Sequence, residues 1–297
     1  MIFTRDRLKA SGVVTIGGFD GIHLGHQQLL QRVTERARQF GLPATVITFE
    51  PPPKEYFVHN LIRITTWNEK LLWLQSLGID QILCLRFNQR LASLTADEFI
   101  GNILIKKLNV HYLVVGEDFR FGLRQSGDIK LLQQYKACNF KLEVVPDFFI
   151  DGELVKSTAI RQALISSDLA KVERFLGRPY SITGRVAHGD HRGRLLGFPT
   201  ANVYLTAKIA PLRGVYATRV YLDQEIFRGC ANIGFRPTIG DGKHVLEVNL
   251  LDFDRDIYGK RIKVEFIYKL RDEKKFANLD QLKQQIAEDV GRLETSL

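Results

Sequence analysis

Two histidines three residues apart, His23 and His26, are the side chains in the first half of the chain best suited to chemistry. They stand in a glycine-rich turn, with Gly17, Gly18 and Gly21, between a short β-branched run and apolar residues at helical spacing. Glycine lets backbone N–H groups approach a ligand closely, and a helix start offers free N–H groups and the positive end of the helix dipole. Residues three apart on a first helical turn point to the same side. The stretch therefore predicts a phosphate-binding corner flanked by two imidazoles.

Other interpretations of this turn stay open. It does not fit a P-loop, because no Gly-Lys-Ser/Thr follows, and it lacks the third glycine of the dinucleotide fingerprint. Two histidines at this spacing also occur as packing or surface residues, or as part of a metal site. Their place directly after a strand and a glycine turn favours phosphate binding.

The composition is that of a globular protein of about two domains. The chain has 297 residues, of which 45% are hydrophobic and 25% charged. No apolar run is long enough to cross a membrane, and the first residues lack the apolar core of a signal peptide. The three cysteines, Cys84, Cys138 and Cys230, have neither metal-binding nor redox spacing, so we expect small buried side chains in a reducing cytoplasm.

The net charge of +9 is spread along the chain rather than massed in one block. A positive field attracts small anionic substrates as well as nucleic acid. The scattered pattern favours the small substrates, and we expect neither a membrane nor a nucleic acid as partner.

Strands and helices alternate in the first half, which predicts a doubly wound, Rossmann-like parallel sheet with ligands at the carboxyl ends of its strands. After Gly177-Arg178-Pro179 strand-like runs dominate, several of them with alternating polarity, and one amphipathic helix closes the chain. The fold class is therefore an α/β domain, residues 1–178, followed by a small antiparallel β-barrel, residues 179–297. The expected strands are 13–16, 44–49, 81–86, 112–115 and 142–145 in the first domain, and 180–187, 214–221, 226–233, 245–251 and 261–269 in the second.

Two further stretches of the first domain carry anion-binding residue types. The loop after the fourth strand, residues 116–122, contains Arg120, which could pair with a phosphate, and two phenylalanines that could stack on a ring. Ser157 and Thr158 can cap a helix, and Arg161 lies one turn on, which suggests a second anion clamp. An ordinary loop and a plain helix cap are the alternatives.

The start of the second domain, residues 184–203, combines glycines with basic side chains in a way that suits a polyphosphate. Thr200 and Asn202 follow as neutral oxygen ligands of the kind that Mg²⁺ tolerates beside phosphates. Glu247 lies in an alternating strand, where a carboxylate could take a proton from an attacking hydroxyl. The alternatives are a structural glycine-rich loop and an exposed strand glutamate; a metal pair of His188 and His191 has little support.

These motifs, taken together and in order, resemble the bifunctional prokaryotic riboflavin kinase/FAD synthetase family over essentially the whole chain. Residues 18–26, GFDGIHLGH, are similar to the adenylyltransferase signature, and residues 116–122 and 157–161 to its later motifs. Residues 184–203 are similar to the flavokinase signature, and residues 232–238, Glu247 and 251–259 continue the match.

The resemblance implies two reactions, with ATP as co-substrate and Mg²⁺ as cofactor: phosphorylation of riboflavin to FMN, then adenylylation of FMN to FAD. It implies that Glu247 is the kinase base, that Thr200 and Asn202 hold the metal, and that His23 and His26 stabilise charge during adenylyl transfer. It also assigns the nucleotide contacts. In the first domain these are Gly18, Phe19, Asp20, Gly21, Asp118, Arg120, Ser157, Thr158 and Arg161; in the second they are Gly184, His188, Gly189, Arg192, Gly193, Arg194 and Gly197.

The chain departs from the family pattern at three positions. Pro52 stands where the family usually has His, Lys156 stands where a Ser is common, and Asn249 replaces a frequent His. An active kinase with an impaired adenylyltransferase module is therefore one alternative. A basic nucleic-acid-binding protein and a flavin carrier without catalysis are the alternatives from other classes.

Overall fold

The structure is a computed structural model, and it describes residues 2–4, 12–58, 61–135, 140–188, 200–205, 212–236 and 243–296. The chain forms two compact units, Met1–Leu61 with Trp67–Lys156, and Ile62–Thr66 with Ser157–Leu297. The predicted boundary after residue 178 stays a prediction. In the described part of the chain no helix is both long enough and apolar enough to span a membrane.

A six-stranded sheet forms the centre of the first unit, in the order β1-β4-β3-β2-β5-β6. Five neighbouring strands are parallel, and β1 adds to the β4 edge in the antiparallel direction. All five predicted strands are present, while the three-residue β1 was too short for its periodicity to be recognised. The strands are β1 Ile2–Thr4, β2 Val13–Ile16, β3 Ala44–Glu50, β4 Gln81–Arg86, β5 Tyr112–Gly116 and β6 Lys141–Val145, followed by the hairpin β7 Phe149–Ile150 and β8 Glu153–Leu154.

Helices cover both faces of this sheet. Successive side chains of a strand point to opposite sides, and because both sets are apolar here, both faces must be buried. Val13 packs with the first helix on one face, and Val14 packs with the segment after Thr95 on the other. Thr95 and Glu98 form a capping box at the start of one of these helices, and Gly41 ends the first helix with a φ of 63°. The helices are α1 Leu24–Phe40, α2 Pro53–Phe57, α3 Trp67–Ser76, α4 Gln89–Ala92, α5 Ala96–Phe99 with a π-helical continuation Ile100–Lys107, and α6 Ile129–Gln134.

The second unit is a nearly closed antiparallel barrel. Its strands follow the order β10-β13-β12-β11-β14-β9, and a bridge between Ala187 and Asn202 brings the two edges together. The predicted strands are all present; β10 was not predicted as a strand, because its residues drew attention as ligands. The elements are α7 Ser157–Ile165, α8 Leu169–Leu176, β9 Ser181–Arg185, β10 Thr200–Leu205, β11 Gly214–Leu222, β12 Glu225–Arg236, β13 Lys243–Leu250, β14 Arg261–Arg271 and α9 Leu279–Ser296.

A buried ion pair fastens the closing helix α9 to the barrel. Arg271 on β14 donates from Nε and Nη2 to the carboxylate of Asp289 at 3.0 and 2.8 Å. Only 2% of the Asp289 side chain is exposed. Burial, together with the nearby Asp289 charge, raises the pKa of the Cys230 thiol to about 12. This thiol therefore stays protonated and unreactive while the helix is docked.

We expect Asp289→Ala to lower the free energy of unfolding of the second unit by about 3–5 kcal/mol, because it leaves the Arg271 charge buried without its partner. Urea unfolding measures the loss, and mass spectrometry after alkylation should show faster modification of Cys230. The matched control is Glu225→Ala, which removes an exposed pair with Arg255 of 2.7 Å and should cost about 1 kcal/mol or less. Equal losses in the two variants would contradict the assignment of Asp289 as the anchor.

Candidate active sites

The two histidines of the first unit meet at the start of α1. His23 is the N-cap, and its Nδ1 accepts a hydrogen bond from the backbone N–H of His26 at 3.3 Å. The two rings stack with centroids 3.6 Å apart. A nitrogen that accepts a hydrogen bond carries no proton, so this contact requires the His23 tautomer that has its hydrogen on Nε2. The prediction that both imidazoles lie together at a helix start is matched by this geometry.

The turn before α1 is held by hydrogen bonds from the neighbouring elements. The N–H of Gly17 donates to Ile47 on β3 at 3.0 Å. The carbonyl of Gly18 accepts from Lys70 Nζ on α3 at 2.7 Å and from the Thr48 hydroxyl on β3 at 3.4 Å. The carbonyl of Ile22 accepts from the side chain of Gln27 at 2.9 Å. The backbone of the turn is thus tied to β3, α3 and α1.

The predicted contact residues of this turn differ in accessibility. Phe19 and Asp20 are buried, with 1% and 7% of their surface exposed, and Phe19 has a φ of 47°. Gly21 has a φ of 85°, a conformation that glycine adopts freely and that a residue with a side chain adopts only under strain. A Cβ added to Gly18 would meet no atom within 4 Å. Open space beside a helix start is what an incoming phosphate needs.

His26 lies in an electropositive, buried environment. Burial lowers its pKa well below the ordinary value; the protonated form of His23 and the charge of Lys70 lower this pKa further. Within the described part of the chain its Nδ1 is buried and has no hydrogen-bond partner, although the residue as a whole is partly exposed. His26 is therefore neutral at pH 7 and available as a hydrogen-bond donor rather than as a cation.

The loop after β5 places its predicted residues differently. Asp118 and Arg120 are exposed, and Arg120 donates to the carbonyl of Phe119 at 3.1 Å. Phe121, a predicted stacking residue, is buried in the core, while Phe119 is partly buried and stacks on it at 5.4 Å. Burial raises the pKa of Asp147 after β6, and the charge of Asp118 raises it further.

The predicted second clamp begins α7 in the second unit. Ser157 is the first residue of this helix, and Thr158 follows it. Arg161 donates from Nε to the carbonyl of Ile62 at 2.6 Å, so one of its donors is used within that unit. That Ser157, Thr158 and Arg161 grip the nucleotide bound at the histidines stays a prediction.

A polar row crosses three strands of the barrel. Asn202 on β10 is paired with Glu247 on β13, and Glu247 is paired with Asn232 on β12. Paired residues of neighbouring strands share a face of the sheet, and Thr200 lies on that face two positions from Asn202. Within the described residues the Oδ1 of Asn232 is buried without a hydrogen-bond partner. The row therefore gathers a carboxylate, two amides and a hydroxyl on one surface.

Sequence reasoning gave no role to Asn232 in this row. Its amide comes next to Glu247 only through the β12–β13 register, which no local pattern shows. Asn249, two positions after Glu247, is paired with Thr200 and is 7% exposed.

Most of the predicted polyphosphate loop lies outside the described residues: Gly189, His191, Arg192, Gly193, Arg194 and Gly197. His188, the last described residue before them, stacks on Tyr258 with centroids 3.9 Å apart. Gly184 lies inside β9, where an added Cβ would overlap Cγ1 of Val203. The structure thus gives this glycine a packing role, whether or not it also contacts a nucleotide.

The fold and the candidate sites are those expected of a two-part enzyme: an α/β unit with two histidines at a helix start, and a barrel with a row of acid and amide side chains. Comparison with known families agrees with both parts. Residues 6–159 match the FAD synthetase family, and residues 176–297 match the riboflavin kinase family. The chain belongs to the bifunctional riboflavin kinase/FMN adenylyltransferase family.

Curated relatives carry that name and match over most of their length. The protein of Escherichia coli K12 is 47% identical over 281 residues, covering 93% of this chain and 90% of that protein. The protein of Haemophilus influenzae is 42% identical over 289 residues, covering 96% and 94%. A crystal structure titled as a macrolide-efflux protein from Streptococcus pneumoniae is 33% identical, with a TM-score of 0.81, covering 96% of this chain and 95% of that one. That solved structure shows the same two-part fold.

We expect Gly184→Ala to lower the free energy of unfolding of the second unit by about 1–3 kcal/mol, because the new methyl group overlaps Val203. Combining it with Val203→Ala should recover about 1 kcal/mol relative to the sum of the single changes. Urea unfolding measures both. Gly101→Ala is the control, since its Cβ would meet no atom within 4 Å. Additive losses, or normal stability with weaker ATP binding, would argue against the packing role.

Proposed function

We propose that the chain makes FAD from riboflavin in two ATP-dependent steps, one in each unit. The second unit transfers the γ-phosphate of ATP to the 5′-hydroxyl of riboflavin, giving FMN and ADP. The first unit transfers the AMP part of another ATP to the phosphate of FMN, giving FAD and pyrophosphate. The observation that carries the proposal is that family models for the two activities match in order along the chain.

In the kinase step Glu247 is the base. Its carboxylate lies half-buried on β13 between two amides, Asn202 and Asn232. It takes the proton of the riboflavin hydroxyl as the hydroxyl oxygen bonds to the γ-phosphorus and the bond to ADP breaks. Little covalent chemistry is needed from the protein, because phosphoryl transfer depends mainly on positioning and charge stabilisation.

The same row fits Mg²⁺ as the metal of the kinase step. The hydroxyl of Thr200 and the amide of Asn202 supply hard oxygen ligands of the kind that Mg²⁺ prefers. The buried Oδ1 of Asn232 adds an acceptor that no described residue satisfies. Bound there with ATP, Mg²⁺ would supply neutralisation of phosphate charge. Among the described residues no three His, Cys, Asp or Glu side chains form a metal site by themselves.

In the adenylylation step His23 and His26 act as donors to the phosphates of ATP. The FMN phosphate oxygen attacks the α-phosphorus, and pyrophosphate leaves. The N–H groups and the dipole at the start of α1 favour negative charge at this position, and the open space beside Gly18 leaves room for a ligand. A preorganised set of donors stabilises the transition state without further movement.

A kinase with an impaired first unit is the second candidate function, and one observation favours it. Pro52 stands at the start of α2 and makes no side-chain cap hydrogen bond there, so it supplies no replacement for an imidazole. Incubation with riboflavin, ATP and Mg²⁺ decides between the candidates. Accumulation of FAD supports the two-step function, and accumulation of FMN alone supports the second candidate.

We also propose that the protein works in a reducing cytoplasm. The thiols of Cys84 and Cys230 are free and buried, which fits that compartment.

The two sites should be separable by mutation. We expect Glu247→Gln to lower FMN formation from riboflavin by about 10²–10⁴-fold through loss of the base. It should leave FAD formation from supplied FMN unchanged. We expect His26→Asn to lower FAD formation by about 10²-fold or more through loss of a donor, and to leave the kinase step unchanged. Chromatographic rates of each half-reaction measure both effects.

Each variant is the control for the other, since each half-reaction reports that the protein is folded. An unchanged kinase rate in Glu247→Gln would exclude Glu247 as the base. Loss of both activities in either variant would contradict the assignment of one site to each unit.

A further inference from the structure

We propose that Lys70 is a positioning residue for adenylylation, because its ammonium binds the Gly18 carbonyl and so orients the turn that presents His23 and His26. This inference rests on the proposed role of the two histidines. Lys70 belongs to α3, far along the chain from the glycine-rich turn, and neither its sequence context nor its helix marked it as part of the site.

Lys70 is buried, which is unusual for a lysine. Only 3% of its surface is exposed. Its Nζ donates to the Gly18 carbonyl at 2.7 Å and lies 5.6 Å from the centre of the Trp67 ring. Removing an ammonium from water is costly unless it is paired or hydrogen-bonded, and these contacts contribute to offsetting that cost. The burial of this cation beside the proposed phosphate site favours a role in that site over the role of an ordinary surface lysine.

The hydrogen bond to Gly18 has a direct consequence for the turn. A peptide group is planar, with its C=O and the following N–H pointing in opposite directions. The contact with Lys70 therefore turns the N–H of Phe19 away from α3. The same peptide carbonyl accepts from Thr48 at 3.4 Å, so two donors of different charge hold one oxygen. Phe19 has a φ of 47°, a conformation that a non-glycine residue keeps only when its surroundings hold it.

The charge of Lys70 also acts on the histidine pair. Burial lowers the pKa of His26 most, and the positive form of His23 and the charge of Lys70 lower it further. All three therefore disfavour the imidazolium form of His26. The titratable groups of this region come from several elements. They are Asp20 in the turn, His23 at the N-cap of α1, Glu50 on β3, Cys84 on β4, and Glu69 beside Lys70 on α3. Lys70 contributes positive charge here, while His26 is held neutral.

The purely structural alternative is that Lys70 only fastens α3 to the turn. Both readings predict lower activity when Lys70 is changed, so activity alone does not separate them. A readout that follows the protonation of His26 does. The matched variants are Lys70→Met, which keeps the length of the side chain, and Thr48→Val, which removes the neutral donor to the same carbonyl. Lys130→Met makes the same chemical change at an exposed position of α6.

The experiment measures FAD formation from FMN between pH 5 and 9, together with the titration of His26 by NMR. In Lys70→Met we expect kcat to fall about tenfold or more with KM for ATP nearly unchanged. We expect the acid limb of the pH–rate profile to move to higher pH and the pKa of His26 to rise. Thr48→Val and Lys130→Met should leave both the acid limb and the His26 titration in place. The riboflavin kinase rate of the second unit serves as the internal standard for folded protein.

An unchanged His26 titration in folded Lys70→Met, or an adenylylation rate within twofold of the original protein, would overturn the proposal. If Lys70→Met does not fold, Lys70→Arg keeps the positive charge and should keep the acid limb in place; a displaced limb would count against us. Should the unmodified protein make no FAD from FMN, the proposed adenylylation fails. The His26 titration then still shows whether Lys70 controls the histidine pair.

Discussion

Backbone pairing between neighbouring strands is the constraint on which both sites depend. In the first unit, parallel pairing of β2 with β3 and β5 places their carboxyl ends at one edge, so the turn before α1 and the loop after β5 open on the same side of the sheet. In the second unit, the register of β10, β13 and β12 puts Asn202, Glu247 and Asn232 in one row. A slip of one residue would send each of these side chains to the opposite face. The chemistry of both units is therefore fixed by hydrogen bonds that contain no functional side chain.

Under our proposal the two units handle phosphate in different ways. The first would use the end of a helix, where the N–H groups and the dipole favour an anion and the imidazoles add donors. The second would use a sheet face, where carboxylate, amide and hydroxyl groups suit a metal–nucleotide complex and a proton transfer. Transfer of AMP needs stabilised charge on a leaving pyrophosphate, whereas activation of a hydroxyl also needs a base. The side chains at the two candidate sites differ in the same way: the first offers imidazoles, and the second offers a carboxylate.

Much of this arrangement could be predicted from the sequence, because buried parallel strands are continuous apolar runs and the glycine-rich turn combines several local signals. The capping box at Thr95 and the left-handed Gly41 are likewise local features. What could not be predicted depends on tertiary contacts. The role of Asn232 depends on strand register, and the burial of Lys70 depends on how α3 packs against the turn. Phe121 looked available for stacking, since no local pattern shows that it enters the core.

The burial of Lys70 also bears on why the histidine pair is neutral. A cluster of cations at the start of α1 would attract phosphate strongly, but each imidazolium would repel the other and the helix dipole would add to the cost. In our proposal one charge on Lys70 avoids this, because it raises the local potential and adds to the burial that keeps His26 uncharged. A neutral imidazole still donates one hydrogen bond, and it does so without losing a proton to the departing pyrophosphate. Under our proposal the site would then keep the same donors throughout adenylyl transfer, which is the condition for electrostatic stabilisation without reorganisation.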